Sequence, residues 1–116
     1  MDFKTFERLK KTYDTYIEEA ERLIHRDSPI QQTRSVWIDR EKIEKLLEQT
    51  DPRTGGIKLF FGQYDEETIE GFESPVKKED YEGRLTVILA ASNNNEDPRE
   101  ESQLVNFGKT CPPDCG

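Results

Sequence analysis

The stretch GIKLFFGQY, residues 56–64, decides the fold class of this chain. Ile57, Leu59 and Phe61 occupy alternate positions, which is the period-two pattern of a β-strand with one apolar face. The stretch RLTVILAAS, residues 84–92, is likewise apolar at its odd-numbered positions. The two stretches are therefore predicted to be partners in a small, mainly antiparallel sheet.

Two amphipathic helices are predicted before these strands. Residues 3–24 place apolar side chains at alternating three- and four-residue steps, which makes a heptad seam. Asp39 is suited to cap a second helix that begins at Arg40 and ends before the Pro52 and Gly55–Gly56 breakers. The seam of the first helix consists of Phe6, Leu9, Tyr13, Tyr16, Ala20 and Leu23.

These elements predict an α+β domain. SVWI, residues 35–38, supplies the third strand of the sheet, and both helices pack on one face of it. Trp37 is expected in the core, between β-branched neighbours. The alternative for the first helix is a seam shared with another protein or with a second copy, as a homodimer through Phe6, Leu9, Tyr13 and Tyr16.

The predicted domain covers residues 1–92, and residues 93–116 are predicted to form a polar arm and a partly docked Cys-Pro tail. NNNEDPREESQ, residues 93–103, has almost nothing to bury. The apolar side chains of Leu104, Val105 and Phe107 are expected to hold the tail on the body.

Charge and hydropathy exclude several classes of partner. The chain of 116 residues has a net charge of −8, which disfavours binding to nucleic-acid phosphates and to anionic membrane surfaces. The N-terminal residues lack the apolar core of a signal peptide, and the longest apolar run, Val87–Ala91, is far too short to span a membrane. The cytoplasm is therefore the expected location.

Much of the negative charge lies between the two main strands. The connection of residues 65–83 contains eight acidic residues and two lysines. It does not read as a calcium loop, because Lys77 stands where a bidentate glutamate is needed. It is either a solvated loop or a docking surface for a basic partner through Glu66, Glu67 and Glu70.

The CPPDC segment, residues 111–115, carries the only two cysteines. An extended Pro-Pro spacer would keep the thiols apart, whereas a turn at Pro113 and Asp114 would bring them together. Zinc needs four ligands, and within one chain Cys111, Cys115 and the single histidine, His25, supply three; two tails that meet across a dimer axis would supply four thiolates. In a reducing compartment the pair is expected to be reduced and free of metal.

Four of these stretches, SVWID, GIKLFFGQY, LTVILA and NFGKTCPPDCG, together resemble a family of small uncharacterised proteins common in Bacteroidetes genomes. The resemblance covers roughly residues 35–116 and implies a fold and a cytoplasmic bacterial origin, but no activity or cofactor.

The chain carries no phosphate-binding glycine loop, no nucleophile motif and no His-Glu metal motif, so an enzyme is not favoured. The predicted function is a small acidic protein-interaction module that needs no cofactor. The alternative is a thiol-dependent redox or metal-binding protein that uses Cys111 and Cys115.

Overall fold

The computed structural model describes residues 1–72, 76–106 and 108–115. It confirms the α+β class, with a long N-terminal helix, shorter helices and a mainly antiparallel sheet. Two 3-10 turns, Lys78–Asp80 and Glu101–Gln103, lie between the main elements. The helices and strands are α1 Phe3–Ile24, β1 Ser35–Trp37, α2 Arg40–Glu48, β2 Gly55–Gln63, α3 Glu66–Glu70, β3 Leu85–Asn93, β4 Leu104–Val105 and β5 Lys109–Cys111.

The main sheet has the strand order β2-β3-β4 and is antiparallel throughout. β2 and β3 pair along their full length, with Leu59 opposite Leu89. The predicted pairing of these two strands is confirmed. After β3 the chain turns at Asn94 and Asn95, which adopt the left-handed conformation that asparagine tolerates. This turn sends the chain back along β3 as β4.

The expected third strand of this sheet was wrong. β1 does not join β2 and β3; it forms a separate two-stranded ribbon with β5, in which Val36 lies opposite Thr110. The third strand of the main sheet is β4, from the returning chain. A three-residue strand has few backbone groups to pair, so its partner is set by the segment that the tertiary fold brings beside it.

The core lies between α2 and one face of the main sheet. Leu46 of α2 is 1% exposed and packs with Leu89 and Ala91 of β3. The predicted cap of α2 is confirmed, because Asp39 Oδ1 accepts a hydrogen bond of 2.9 Å from the Lys42 backbone N–H. Ile38, Ile43, Ile57, Val87 and Val105 pack around this core as partly buried side chains.

The apolar face of β2 is only partly covered. α2 has nine residues and is about 13 Å long, whereas the nine residues of β2 extend over about 30 Å. α2 therefore reaches Ile57 but leaves Leu59 and Phe61 of the same face 54% and 88% exposed.

The bounds predicted for α1 are confirmed, and Asp2 caps its first turn by accepting a hydrogen bond of 2.7 Å from the Thr5 N–H. The expected burial of its apolar seam against the sheet was wrong. Leu9 is 50% exposed and Tyr16 is 70% exposed, and no residue of α1 belongs to the core that the structure describes. Polar contacts connect α1 to the rest of the chain.

The prediction that Trp37 is a core residue was also wrong. Its side chain is 60% exposed, and the Lys109 ammonium lies 5.4 Å from the ring centroid. Alternation along β1 turns Val36 inward instead. Gly108 lies directly against the Val36 side chain, so a Cβ added at Gly108 would be 2.4 Å from Val36 Cγ1.

The segment after residue 103 supplies one strand to each sheet. Val105 contacts the core, and Asn106 joins the tail to the sheet by accepting from Tyr64 Oη at 3.0 Å and donating to the Val87 carbonyl at 2.9 Å. Phe107, predicted to anchor the tail, lies outside the described residues. The domain boundary at residue 92 stays a prediction.

Candidate functional site

The most extensive exposed apolar feature of the described chain is one side of α1. We call it the α1 stripe, and it consists of the six seam residues Phe6, Leu9, Tyr13, Tyr16, Ala20 and Leu23. Five of them are large and range from 37% exposure at Tyr13 to 70% at Tyr16. Three- and four-residue spacing places all six within about a quarter of the helix circumference.

Except at Tyr13, the stripe does not face the rest of the molecule. Asp14, Glu18 and Glu21 make most of the polar contacts between α1 and the segment of residues 30–34, and the Tyr13 hydroxyl makes one more. At 100° per residue the three acidic residues lie about 110–170° around the helix from the middle of the stripe. The body of the protein therefore holds α1 from one side and leaves the stripe open.

Glu21 makes the most buried of these contacts, with a residual exposure of 6%. Its carboxylate accepts hydrogen bonds from Gln32 Nε2 at 3.1 Å and from the Ile30 N–H at 3.3 Å, and it lies 2.5 Å from His25 Nδ1. Burial by itself raises the pKa of Glu21. The hydrogen bonds from Gln32, His25 and Ile30 outweigh burial and hold its pKa below the usual value.

Gln32 extends this network to the sheet. Its amide nitrogen also donates to the Gly83 carbonyl at 2.9 Å, and its amide oxygen accepts from the Leu85 N–H at 2.9 Å. The buried Gln32 side chain thus links α1 to the first residue of β3. Sequence reasoning did not find Gln32, because a glutamine in a polar connector carries no local signal of burial.

A second set of contacts lies one turn earlier on α1. Arg34 bridges Asp14 at 3.0 Å and Glu18 at 2.7 Å, and Tyr13 Oη donates to the Thr33 carbonyl at 2.9 Å. Burial and the charge of Asp14 raise the pKa of Tyr13, against the opposing effect of Arg34. Among the described polar contacts, those of α1 with the body begin at Tyr13, so residues 3–12 project beyond it.

The apolar surface that α1 exposes is large for a monomeric protein. Phe3 and Ile24 flank the stripe and are 82% and 73% exposed. Taking roughly 150–250 Å² for each fully exposed large side chain, these two and the stripe together expose on the order of 800 Å². Monomeric proteins rarely leave more than a few hundred Å² of contiguous apolar surface uncovered.

The structure places the predicted acidic residues Glu66, Glu67 and Glu70 on α3, a single helical turn within a segment that read as a loop. Asp65 caps this turn by accepting from the Thr68 N–H at 2.8 Å, and buried Ile69 anchors it.

The three glutamates of α3 differ in their contacts. Glu66 forms an ion pair of 3.1 Å with Lys78, and its hydrogen bond raises the pKa of Lys78. Glu67 and Glu70 are exposed. The acidic surface is therefore centred on these two residues rather than on all three.

The expectation of free thiols was wrong for this structure. Cys111 and Cys115 form a disulfide, with their Cα atoms 4.6 Å apart, because the chain turns at the Pro-Pro pair instead of running straight. The turn is closed by a hydrogen bond of 2.8 Å from the Asp114 N–H to the Thr110 carbonyl. The peptide bonds on both sides of Pro112 are cis.

The structure does not bring the candidate metal ligands together. His25 lies at the end of α1 beside Glu21, and both cysteine sulfurs are bonded to each other. Within residues 1–72, 76–106 and 108–115, no three His, Cys, Asp or Glu side chains form a group able to hold a metal ion.

No protein-family model, no curated protein and no solved structure matches this chain. The resemblance to the Bacteroidetes family therefore stays a prediction. None of the helices in the described part of the chain combines the length and apolar character that crossing a membrane requires.

Proposed function

We propose that this protein is a protein-interaction module and that α1 is its binding element. The observation that carries the proposal is the open α1 stripe, whose large side chains are up to 70% exposed although the helix is well formed and capped. A helix that presents an apolar stripe to solvent is the form in which proteins dock into grooves or pair with other helices. Aromatic side chains such as those of Phe6, Tyr13 and Tyr16 are frequent at the energetic centres of interfaces.

The experiment compares two substitutions on adjacent residues of α1. Tyr16→Asp places a charge on the stripe, and Thr15→Asp places the same charge on an exposed position outside it. Partners are captured from the native host with the wild-type chain and with both variants. Tyr16→Asp is expected to lose the captured partners, and Thr15→Asp to retain them. Equal capture by all three chains contradicts the proposal.

The α3 glutamates are proposed as a second contact, for a basic segment of the partner. Glu67 and Glu70 leave their charges exposed, and exposed charges attract a basic partner in a salt-dependent manner. Glu67→Gln with Glu70→Gln is expected to weaken binding at low salt and to change it little at high salt. Binding that is unaffected at both salt concentrations places the contact elsewhere.

A second candidate function, thiol–disulfide exchange, is supported by the disulfide at the end of the chain. Cys115 is exposed and Cys111 is half-buried, so an incoming thiolate has better access to Cys115 Sγ. Attack there forms a mixed disulfide and releases Cys111 as a thiolate, and a second external thiol completes the two-electron reduction. Failure of the native protein to exchange with a dithiol in solution contradicts this candidate.

We retain the cytoplasm as the proposed location, although disulfides persist mainly in oxidising compartments. Alkylating free thiols in intact cells before lysis tests this location. In the cytoplasm both cysteines are expected to be alkylated, whereas an unmodified disulfide pair indicates an oxidising compartment.

A further inference from the structure

We infer that the partner of α1 is a second copy of this chain and that the two α1 helices pair antiparallel. This inference rests on the proposed function, since it names the partner of the same stripe. Three observations support it: the symmetry of the stripe residues, the distribution of charge along the helix and the position of the body.

The stripe is complementary to itself only in one orientation. In an antiparallel pair of identical helices, each layer contains one residue from each copy. The two residue numbers of a layer add up to the same constant in every layer. For the α1 stripe that constant is 29, and each of the six residues then has a stripe residue opposite it. The layers are Phe6 with Leu23, Leu9 with Ala20, and Tyr13 with Tyr16, each formed twice.

Side-chain size agrees with these layers. Ala20, the one small residue of the stripe, lies opposite Leu9 in the antiparallel arrangement, so no layer contains two small side chains. A parallel pair would instead place Ala20 against Ala20 and leave a gap in the interface. Knobs-into-holes packing therefore favours the antiparallel orientation.

The charge along α1 has opposite signs in its two halves. Residues 3–12 carry four basic residues and one acidic residue, a net charge of +3, and residues 13–24 carry four acidic residues and one basic residue, a net charge of −3. An antiparallel pair lays each basic half beside an acidic half, whereas a parallel pair opposes like charges. Arg34 pairs with Asp14 and Glu18 and offsets one charge of the acidic half, whose net charge then becomes −2 instead of −3. The remaining attraction is long-range, because none of the charged residues lies within the stripe.

The body leaves room for the second helix. Apart from the contact of the Tyr13 hydroxyl with the Thr33 carbonyl, its polar contacts with α1 lie about 110–170° around the helix from the middle of the stripe, and none of those described comes before Tyr13. The second copy's residues 3–12, which project beyond its own body, are therefore able to lie along residues 13–24 of the first. The exposed surface, on the order of 800 Å² on each copy, is the upper limit of what this pairing buries there and is comparable to one side of a standard interface.

The test measures the association state of the full chain and the orientation of its helices. Sedimentation of the wild-type chain over a wide concentration range is expected to show a monomer–dimer equilibrium. Tyr16→Asp is expected to weaken the dimer by at least about tenfold, as truncation of a central aromatic does. The matched variant Thr15→Asp is expected to leave the equilibrium unchanged.

Orientation is tested with a short bis-maleimide, which the native Cys111–Cys115 disulfide does not consume. A mixture of a Leu9→Cys chain and an Ala20→Cys chain is expected to cross-link between copies at these two positions. Each variant alone is expected to cross-link poorly. In an antiparallel pair, the two copies of the same position lie eleven residues, or about 16 Å, apart along the helix axis. Cross-linking of Leu9→Cys with itself indicates a parallel pair and overturns the inference.

The two proposals fail in different ways. A wild-type chain that is monomeric at every concentration overturns the homodimer, and so does a dimer that Tyr16→Asp leaves intact. Neither result decides whether the stripe binds a different protein, because the capture experiment with Tyr16→Asp and Thr15→Asp measures that separately.

Discussion

The buried side chains of Glu21 and Gln32 are joined by a hydrogen bond of 3.1 Å between the Glu21 carboxylate and the Gln32 amide nitrogen. Gln32 also binds the Gly83 carbonyl and the Leu85 N–H, so this contact connects α1 to the start of β3. A buried polar network therefore helps to set the orientation of α1. Such networks are sensitive to the loss of a single member, because a buried polar group that loses a hydrogen bond is not compensated by water.

Gln32→Leu is expected to destabilise the fold, because it removes one hydrogen bond each from the Glu21 carboxylate, the Gly83 carbonyl and the Leu85 N–H. Glu21 keeps its contacts with His25 and Ile30, and the Gly83 carbonyl keeps the hydrogen bond from Gln63, so the largest loss is expected at the Leu85 N–H. Each buried group left unpaired costs about 1–3 kcal/mol. Urea denaturation measures the change in unfolding free energy. Gln31→Leu is the matched control, because it makes the same substitution at an exposed neighbour. Equal effects of both variants would show that the network contributes nothing.

The acid stability of the protein is expected to depend on Glu21. Hydrogen bonds hold its folded-state pKa below the ordinary value of 4.5 in spite of burial. Because the folded pKa is the lower one, the unfolded chain binds more protons in this range. The stabilisation is therefore complete above about pH 5 and is lost as the pH falls through the lowered folded-state pKa.

Urea midpoints measured from neutral pH into this acidic range, for the wild type and for Glu21→Gln, test this expectation. The variant should show a shallower decline with falling pH, and Glu19→Gln, at an exposed position of the same helix, should follow the wild type. A decline that is equally steep in all three chains assigns the acid sensitivity to other carboxyls, among them the capping residues Asp39 and Asp65.

Leu46→Ala is expected to cost about 2–5 kcal/mol, because it opens a cavity beside Leu89 and Ala91. Leu47→Ala, one residue later, removes a side chain that is 42% exposed and should cost much less. Both substitutions replace leucine by alanine in α2 and raise its helix propensity to the same extent. The difference between their unfolding free energies therefore reports on burial. Calorimetry or urea denaturation measures it, and similar losses would mean that α2 does not cover the sheet as described.

Gly108→Ala is expected to disrupt the ribbon of β1 and β5. The added Cβ would lie 2.4 Å from Val36 Cγ1 and 2.9 Å from the Trp37 carbonyl oxygen, which forces the two segments apart. Overpacking of this kind costs about 1–3 kcal/mol. Gly56→Ala is the control, because its Cβ would meet nothing within 4 Å. Thermal denaturation compares them, and a harmless Gly108→Ala would contradict the close packing of the ribbon.

Reduction of the Cys111–Cys115 disulfide is expected to have a modest effect, because the bond closes a loop of only about five residues. The chain-entropy relation gives about 2 kcal/mol for such a loop. A reducing agent should lower the urea midpoint of the wild type to that of the Cys111→Ser, Cys115→Ser variant, and it should leave the variant unchanged. An identical midpoint for oxidised and reduced wild-type protein contradicts a stabilising role of the disulfide.

Local patterns in the sequence predicted most of the secondary structure. Asp39 caps α2 as predicted, α1 extends from Phe3 to Ile24, and the alternation along residues 56–64 and 84–92 marks β2 and β3. The patterns succeed because caps and periodicity depend on atoms within a few residues of each other in the chain. The same locality explains why the polar connector concealed Gln32, whose hydrogen-bond partners are Glu21, Gly83 and Leu85.

By itself, the sequence determined that α1, α2, β1, β2 and β3 form, where α1 and α2 begin, and how charge is distributed along the chain. Only the tertiary structure decided that β1 pairs with β5 and that Trp37 and the α1 stripe face outward. The physical reason is that an apolar stripe has the same pattern whether its own sheet or another protein covers it. Which surface covers it depends on competing contacts of similar energy between residues far apart in the chain.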